Sequence, residues 1–295
     1  MELETIKLEP IAQGYYLEAL LVDGDTVWYG DVTVGGINRL GSDGSIKTWL
    51  PERRMVGGLL INEDGAVLVS GARGVHWFNP ATNATGVLID NVNGEPLKGV
   101  NEMRPDGKGG MYFGGSDMPA IEAGTRPGPV GLYRLDANGH ATQLCDSLVF
   151  TNGLTANRDG TRLFHNESFV GTCAYDIQPD GSLTNRTQVL KKKDCDGMAI
   201  DVEGHLWLSG FASGELLRVK PDGTIVQRIG LPGDAATNVR FGGSDGRDIY
   251  ITVVSMAAAM DIKNGITPTT KTSTLYRGRS EVAGQLIPRT RFRLG

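Results

Sequence analysis

Asp194-Cys195-Asp196-Gly197-Met198-Ala199-Ile200-Asp201-Val202-Glu203-Gly204-His205-Leu206-Trp207-Leu208 is the phrase whose reading decides the fold. A carboxylate, Asp196, precedes an apolar segment of strand character (Met198 to Asp201). Glu203-Gly204 supplies a turn, and Leu206 to Leu208 reads as a second strand. The phrase recurs. Pairs matching Leu206-Trp207 occur at Val27-Trp28, Val67-Leu68, Met111-Tyr112, Leu163-Phe164 and Ile249-Tyr250, with successive separations of 40, 44, 52, 43 and 43 residues along the chain. After each comes a second strand-like phrase, such as Gly36-Ile37-Asn38-Arg39-Leu40, Gly131-Leu132-Tyr133-Arg134-Leu135 or Gly214-Glu215-Leu216-Leu217-Arg218. Turns such as Ser42-Asp43-Gly44, Pro179-Asp180-Gly181 and Pro221-Asp222-Gly223 follow most of these, and another alternating run comes next. A period of this size fits one propeller blade. Six copies predict an all-β, six-bladed β-propeller with four-stranded antiparallel blades, one domain over residues 1–295.

No stretch sustains a 3.6-residue apolar period, so helices should be few. Blade three carries a Pro/Gly-rich surplus, Ser116 to Val130, that reads as a loop able to rim a binding site. The segment before Glu18 is placed to pair with the last blade and close the ring, because an open propeller would expose a strand edge.

Composition excludes several classes. A net charge of -5 with no basic face argues against nucleic acid as a partner. Lys191-Lys192-Lys193 is the one basic run and reads as a solvated strand edge. Cys145, Cys173 and Cys195 are odd in number and widely spaced, which fits reduced thiols in a cytoplasmic protein. Met-Glu-Leu-Glu-Thr-Ile-Lys at the start lacks the basic flank and apolar run of a signal peptide. The longest apolar stretch, Ile249 to Met260, is too short for a membrane span. A cytoplasmic location, without membrane association, is therefore expected, and the sequons at Asn83, Asn166 and Asn185 are read as chance matches. Gly242-Gly243-Ser244-Asp245-Gly246 satisfies G-x-S-x-G, but a strand rather than a helix follows it, so it reads as a turn.

The repeat phase carries the chemistry. Nine to eleven residues before the six aligned pairs stand Glu18, Gly57, Asn101, Asn152, Asp196 and Asn238. These positions begin the innermost strands, which crowd around one mouth of a propeller's channel. Two carboxylates and two or three amide carbonyls converging there suit a hard cation such as Ca²⁺. None of the four histidines shares this phase, which disfavours a site built for zinc. Gly57 reads as room in the channel, and Asn238 as a strand cap.

These residues resemble the senescence marker protein (regucalcin) and gluconolactonase family of six-bladed propellers, which also includes bacterial sugar lactonases. Thr151-Asn152-Gly153-Leu154, Asn157-Arg158-Asp159-Gly160, Asp196 to Asp201, Thr237 to Gly243 and Trp28 to Asp31 carry the likeness over nearly the whole chain. The resemblance implies a divalent metal held by Glu18, Asn152 and Asp196, with Asn101 touching substrate. Ca²⁺ is expected, with Zn²⁺, Mn²⁺, Mg²⁺ or Fe²⁺ as alternatives. Ala19-Leu20 stand where the family often has Gly-Pro, Gly99 where it commonly has an Arg, and Glu102 in place of an Asp. Losing that Arg removes a bidentate grip on sugar hydroxyls. The implied reaction is metal-assisted opening of a lactone, either a sugar lactone or a less polar one, with Asp196 as the general base. Asp117 and Glu122, on the blade-three loop, are candidates for binding substrate hydroxyls. The alternatives are an organophosphate or phosphotriester hydrolase on the same site and a non-catalytic metal-binding propeller.

Overall fold

The computed structural model describes residues 2–295 and shows six antiparallel sheets arranged as a propeller. Blade one is built from Leu17–Asp23, Thr26–Asp31, Ile37–Leu40 and Ile46–Trp49, paired in that order from the channel outward. The innermost strands of blades two to six are Leu59–Ile61, Gly99–Pro105, Thr151–Ala156, Cys195–Ile200 and Ala235–Gly242. Blade three gains a fifth, two-residue strand, Gly71–Ala72, against its innermost one. Blade six has three consecutive strands and takes its outermost from the N-terminus, where Glu9–Gly14 pairs with Ser273–Arg279. This closure is the one expected from the edge-strand argument. Leu17 N donates to Ser273 Oγ at 3.0 Å and Thr237 Oγ1 donates to Leu17 O at 2.9 Å, which fixes the first inner strand to blade six.

Each interface between neighbouring blades holds its own apolar cluster. Trp28, Trp49 and Phe78 pack between blades one and two with ring centroids 5.2 to 5.8 Å apart. Phe164, Met198, Leu208 and Leu217 fill the space between blades four and five, and Leu17, Tyr29, Tyr250 and Leu275 close the ring between six and one. The β-branched and aromatic pairs of the repeat are therefore inter-blade knobs, which is why they recur once per blade.

Residues 280–295 run across the far mouth of the channel, an arrangement the repeat pattern does not announce. Val202 N donates to Ala283 O (3.0 Å), Gln285 N to Ile200 O (2.9 Å), Thr290 N to Ile61 O (3.1 Å) and Phe292 N to Asn62 Oδ1 (2.8 Å). Other backbone bonds reach the turns that follow inner strands, Gly284 N to Gly246 O and Arg291 N to Gly109 O (both 2.8 Å), so the tail lies across the side opposite the phase positions.

Three local expectations change. The Ser116 to Val130 segment contains a helix, α1 (Met118–Glu122), begun by Pro119 in its first turn. The apolar run Ile249 to Met260 divides at Ser255: strand Asp248–Val254 ends, and Ser255 caps helix α2 (Met256–Lys263) by accepting from Ala258 N at 3.2 Å. Lys192 is not a solvated residue either. It is 9% exposed and pairs with Asp194 at 3.0 Å and Glu215 at 3.1 Å. Gly242 to Gly246 forms the expected hairpin turn, with Gly243 and Gly246 in the left-handed region.

Candidate active site

The phase positions share a structural device. The register of the innermost strand breaks between Glu18 and Leu21, Val100 and Met103, Thr151 and Leu154, Cys195 and Met198, and Ala236 and Asn238. A bulge re-aims one side chain out of the pleat. Here five bulges at the same height turn five strand starts toward the channel. Ala19, at φ 53, sits in the left-handed region directly after Glu18, so the bulge of blade one is held by an alanine in a conformation that favours glycine.

Glu18, Asn101, Asn152 and Asp196 line one cavity of about 100 Å³, together with Tyr16, Gly57 and an apolar wall. A larger cavity of about 540 Å³ lies between blades five and six under the N-terminal segment. Its guanidiniums are already paired, Arg218 with Asp201 (2.8 Å) and Arg279 with Asp245 (2.7 Å), so size does not locate the chemistry. Asn101 Nδ2 donates to Thr151 O at 2.8 Å and lies 3.4 Å from Asn152 Oδ1. Asn152 Nδ2 donates to Ser168 Oγ (3.1 Å), which in turn donates to Cys195 O (2.7 Å). Asn166 is fully buried and donates through Nδ2 to the Asp196 backbone carbonyl at 2.7 Å, bracing the blade-five bulge from behind. The buried Asp31 carboxylate accepts from Tyr15 N (2.8 Å) and Thr33 Oγ1 (3.0 Å), setting the approach of the chain to Tyr16.

Three residues central to this site were not assigned to it from the sequence. Asn238 is more than a strand cap: its Oδ1 accepts from Val239 N and its Nδ2 donates to Glu18 Oε1, both at 2.9 Å. Arg240 Nη1 donates to Asn238 Oδ1 at 2.6 Å, and its Nη2 pairs with Glu102 Oε2 at 2.7 Å. All three are at most 5% exposed. Arg240 thus neutralises Glu102 and orients the Asn238 amide, which orients Glu18. The one available signal was Arg240 itself, since an arginine two residues after a phase position enters a channel where a charge needs a partner.

Asp117 and Glu122 do not line the cavity. Asp117 accepts from Lys98 Nζ and Gly128 N, both at 3.0 Å, and these bonds hold its carboxyl below the ordinary range in spite of burial. It fastens the blade-three insertion to itself. Glu122 is exposed on α1. The structure gives neither a position from which to bind substrate hydroxyls in this cavity.

The electrostatics follow from burial. Desolvation raises the Glu18 carboxyl from 4.5 to about 8; the Asn238 hydrogen bond opposes the shift and the Glu102 charge adds to it. Asp196 is likewise raised well above the usual carboxylate range, by desolvation first and then by Glu18 and Glu102, with the Asn152 side chain opposing. Tyr16 is raised by burial and by both carboxylates, so its hydroxyl stays a proton donor. Among the described residues no cluster of three or more His, Cys, Asp and Glu side chains is spaced to hold a metal. A cation here must draw on amide oxygens as well. Two buried carboxylates with no cationic partner of their own, beside two side-chain amides, fit a hard oxygen-seeking ion.

Two predictions arise here. A methyl group on Gly57 would lie 1.9 Å from Asn101 Oδ1, so Gly57→Ala should push the amide aside. The variant should raise KM or lower turnover, with about 1–3 kcal/mol of lost stability from overpacking. Unchanged kinetics with a displaced Asn101 would remove Asn101 from substrate binding. The second concerns pH. In chelated protein Glu18 binds its proton more tightly folded (about 8) than unfolded (4.5), so the folded state is stabilised at low pH and loses that stability as pH rises from about 4.5 to 8. Chelated Glu18→Gln should show a flatter melting-temperature profile across this window. Parallel profiles would mean that Glu18 is not so perturbed.

Residues 18–255 match the family described as the SMP-30/Gluconolactonase/LRE-like region. The chain is 29% identical over 235 residues to a 6-deoxy-6-sulfogluconolactonase of Pseudomonas putida, covering 77% of this chain and 78% of that one. It is 26% identical to a pentonolactonase of Haloferax volcanii (78% of each chain) and 30% identical to regucalcin of Danio rerio (76% of this chain, 77% of that one). In fold it is similar to a luciferin-regenerating enzyme, with TM-score 0.83 and 16% identity over 97% of this chain and 100% of that one. It is similar also to a calcium-binding regucalcin from Agrobacterium tumefaciens, with TM-score 0.82 and 18% identity over 99% and 100%. By the match over residues 18–255, the chain belongs to the SMP-30/gluconolactonase/LRE-like family.

Proposed function

We propose that this protein is a divalent-cation-dependent lactonase, with Ca²⁺ as the ion. The observation that carries the proposal is the pair of buried carboxylates, Glu18 and Asp196, which have no salt-bridge partner among the described residues and face one cavity with Asn101 and Asn152. Relatives named for lactone hydrolysis, and a structural neighbour described as calcium-binding, support it.

Glu18, Asn152 and Asp196 would hold the ion, and when bound it supplies Lewis-acid polarisation of the lactone carbonyl and a neutralising charge. Asn101 orients the ester. Asp196 accepts a proton from water as the water oxygen adds to the carbonyl carbon, and it returns that proton to the ring oxygen as the C–O bond breaks. Tyr16, kept protonated by burial first and then by the Asp196 and Glu18 carboxyls, lines the same cavity. Arg240 and Asn238 hold Glu18 in place without touching substrate. Shielding from bulk water strengthens these charges, and Val32, Met55 and Met118 of one apolar cluster line the cavity beside them.

We also propose a small-molecule substrate, with neither nucleic acid nor membrane as partner, and a cytoplasmic location in keeping with three unpaired cysteines. The apolar wall equally favours an aryl phosphotriester as a second reading. A pH-indicator screen of lactones and a chromogenic screen of aryl phosphotriesters, each on chelated and Ca²⁺-reloaded protein, separates the two. Acid release from lactones that chelator abolishes and Ca²⁺ restores is the expected result. Turnover of phosphotriesters alone would replace the lactonase reading.

A further inference from the structure

The walls above the polar floor are hydrocarbon. Val32, Met55, Met118, Ile121, Phe150 and Ile262 line the cavity, and the polar groups among its lining residues are those of the floor, Tyr16 and Ser116. Asp117 of the blade-three insertion is taken up away from the cavity by Lys98 Nζ and Gly128 N, both at 3.0 Å. It turns Met118 and Ile121 inward. Gly99 makes this possible. A Cβ there would lie 2.2 Å from Met118 Cγ, so the methionine occupies the space that any side chain at position 99 would need.

The second insertion, α2, adds Ile262 to the same wall and packs against the first. Their contact is backbone on backbone: a Cβ on Gly124, at φ +63, would lie 2.5 Å from the Asn264 carbonyl carbon. At the opposite rim Phe150 meets Phe169 edge-on, with centroids 6.5 Å apart. Phe169 is 65% exposed and sits at φ 73, a strained backbone for an aromatic residue, fixed by its N–H on Lys193 O at 2.6 Å. An exposed phenyl held in a costly conformation beside a binding cavity has a ligand-contact rationale rather than a packing one.

We infer that the site takes an ester whose non-reacting side is hydrocarbon, an alkyl- or aryl-substituted lactone rather than a polyhydroxylated one, and that Met118, Ile121 and Ile262 select it. The inference rests on the hydrolytic reading of the floor but concerns its roof. Apolar side chains cannot satisfy the hydroxyls of a sugar lactone, and each buried unpaired hydroxyl would count against binding. A hydrocarbon substituent gains about fourfold in affinity per methylene buried, from ~0.8 kcal/mol each.

The test uses non-hydrolysable lactams on the full-length, Ca²⁺-saturated protein. A γ-lactam series with methyl, ethyl and propyl substituents is titrated calorimetrically beside glucono-δ-lactam, and turnover of the corresponding lactones is measured in parallel. Affinity should rise at least fivefold from methyl to propyl, and glucono-δ-lactam should bind more weakly than the propyl compound. Ile121→Asn and Ile262→Asn, at partly buried wall positions away from the floor, should flatten the lactam series. A flat alkyl series in wild type, or tighter binding of glucono-δ-lactam, overturns the inference even if lactones are opened. A rising lactam series with no lactone opened leaves the inference standing and removes the lactonase reading.

Discussion

Asp196→Asn should lower turnover by ~100- to 10,000-fold, the usual worth of general-base assistance, while the propeller folds and the cation still binds. Asparagine keeps a coordinating oxygen and nearly the same volume but loses the basic lone pair. Asp196 is almost completely buried, and its backbone carbonyl is held by Asn166, so the substitution leaves the bulge intact. Removing one of two like charges also relieves the repulsion that raises Glu18. The melting temperature of the chelated variant should therefore equal or exceed that of chelated wild type. The assay is steady-state lactone opening at saturating Ca²⁺ alongside thermal melts with and without chelator. Wild-type turnover under saturation would show that the proton goes elsewhere and that Asp196 is only a ligand.

Arg240→Met should be the most destabilising single change at the site. It leaves Glu102, 1% exposed, with an Asn238 amide at 3.4 Å and the Met103 N–H at 3.1 Å as its remaining partners. Breaking a buried ion pair by removing one partner costs about 3–5 kcal/mol, and for a chain of this size each kcal/mol lowers the melting temperature by roughly 2–4 °C. Activity should fall too, because Asn238 Oδ1 keeps only the Val239 N–H (2.9 Å) of its two donors and its amide holds Glu18 less firmly. Replacing both partners, Arg240→Met with Glu102→Leu, removes the stranded charge and should recover much of the stability. It should not recover activity. A double variant with both restored would make the pair a structural element with no part in positioning Glu18, and an unchanged single variant would mean the pair is worth little.

The fold was legible because each blade repeats its inter-blade knobs. Val27-Trp28, Leu163-Phe164 and Leu206-Trp207 occupy equivalent places in successive interfaces, so their spacing counts the blades directly. The heights of Glu18, Asn101, Asn152 and Asp196 followed from the same phase. What the phase could not show is the direction of each side chain, since that depends on five register breaks whose residues look like ordinary strand. The Arg240–Glu102 pair joins residues 138 apart on blades three and six, a contact with no local signature. Asp117 and Glu122 were drawn toward the site by their loop, yet a loop carboxylate can as easily tie down its own insertion, as Asp117 does through Lys98 and Gly128. Helix α2 escaped because its apolar residues continue a strand without a break in composition, and Ser255 alone marks the change. The tail over the far mouth consists of isolated backbone bridges to inner-strand ends, which leave no periodic trace.

The measurement closest to the central claim is a calorimetric titration of Ca²⁺ into exhaustively chelated wild type and Glu18→Gln, with lactone opening followed on the same samples. The geometry predicts a single equivalent of Ca²⁺ bound by wild type, recovery of activity in proportion to occupancy, and strongly weakened binding with matching loss of activity in Glu18→Gln. Undiminished lactone opening by chelated wild type, or equal affinity in the two proteins, would contradict it.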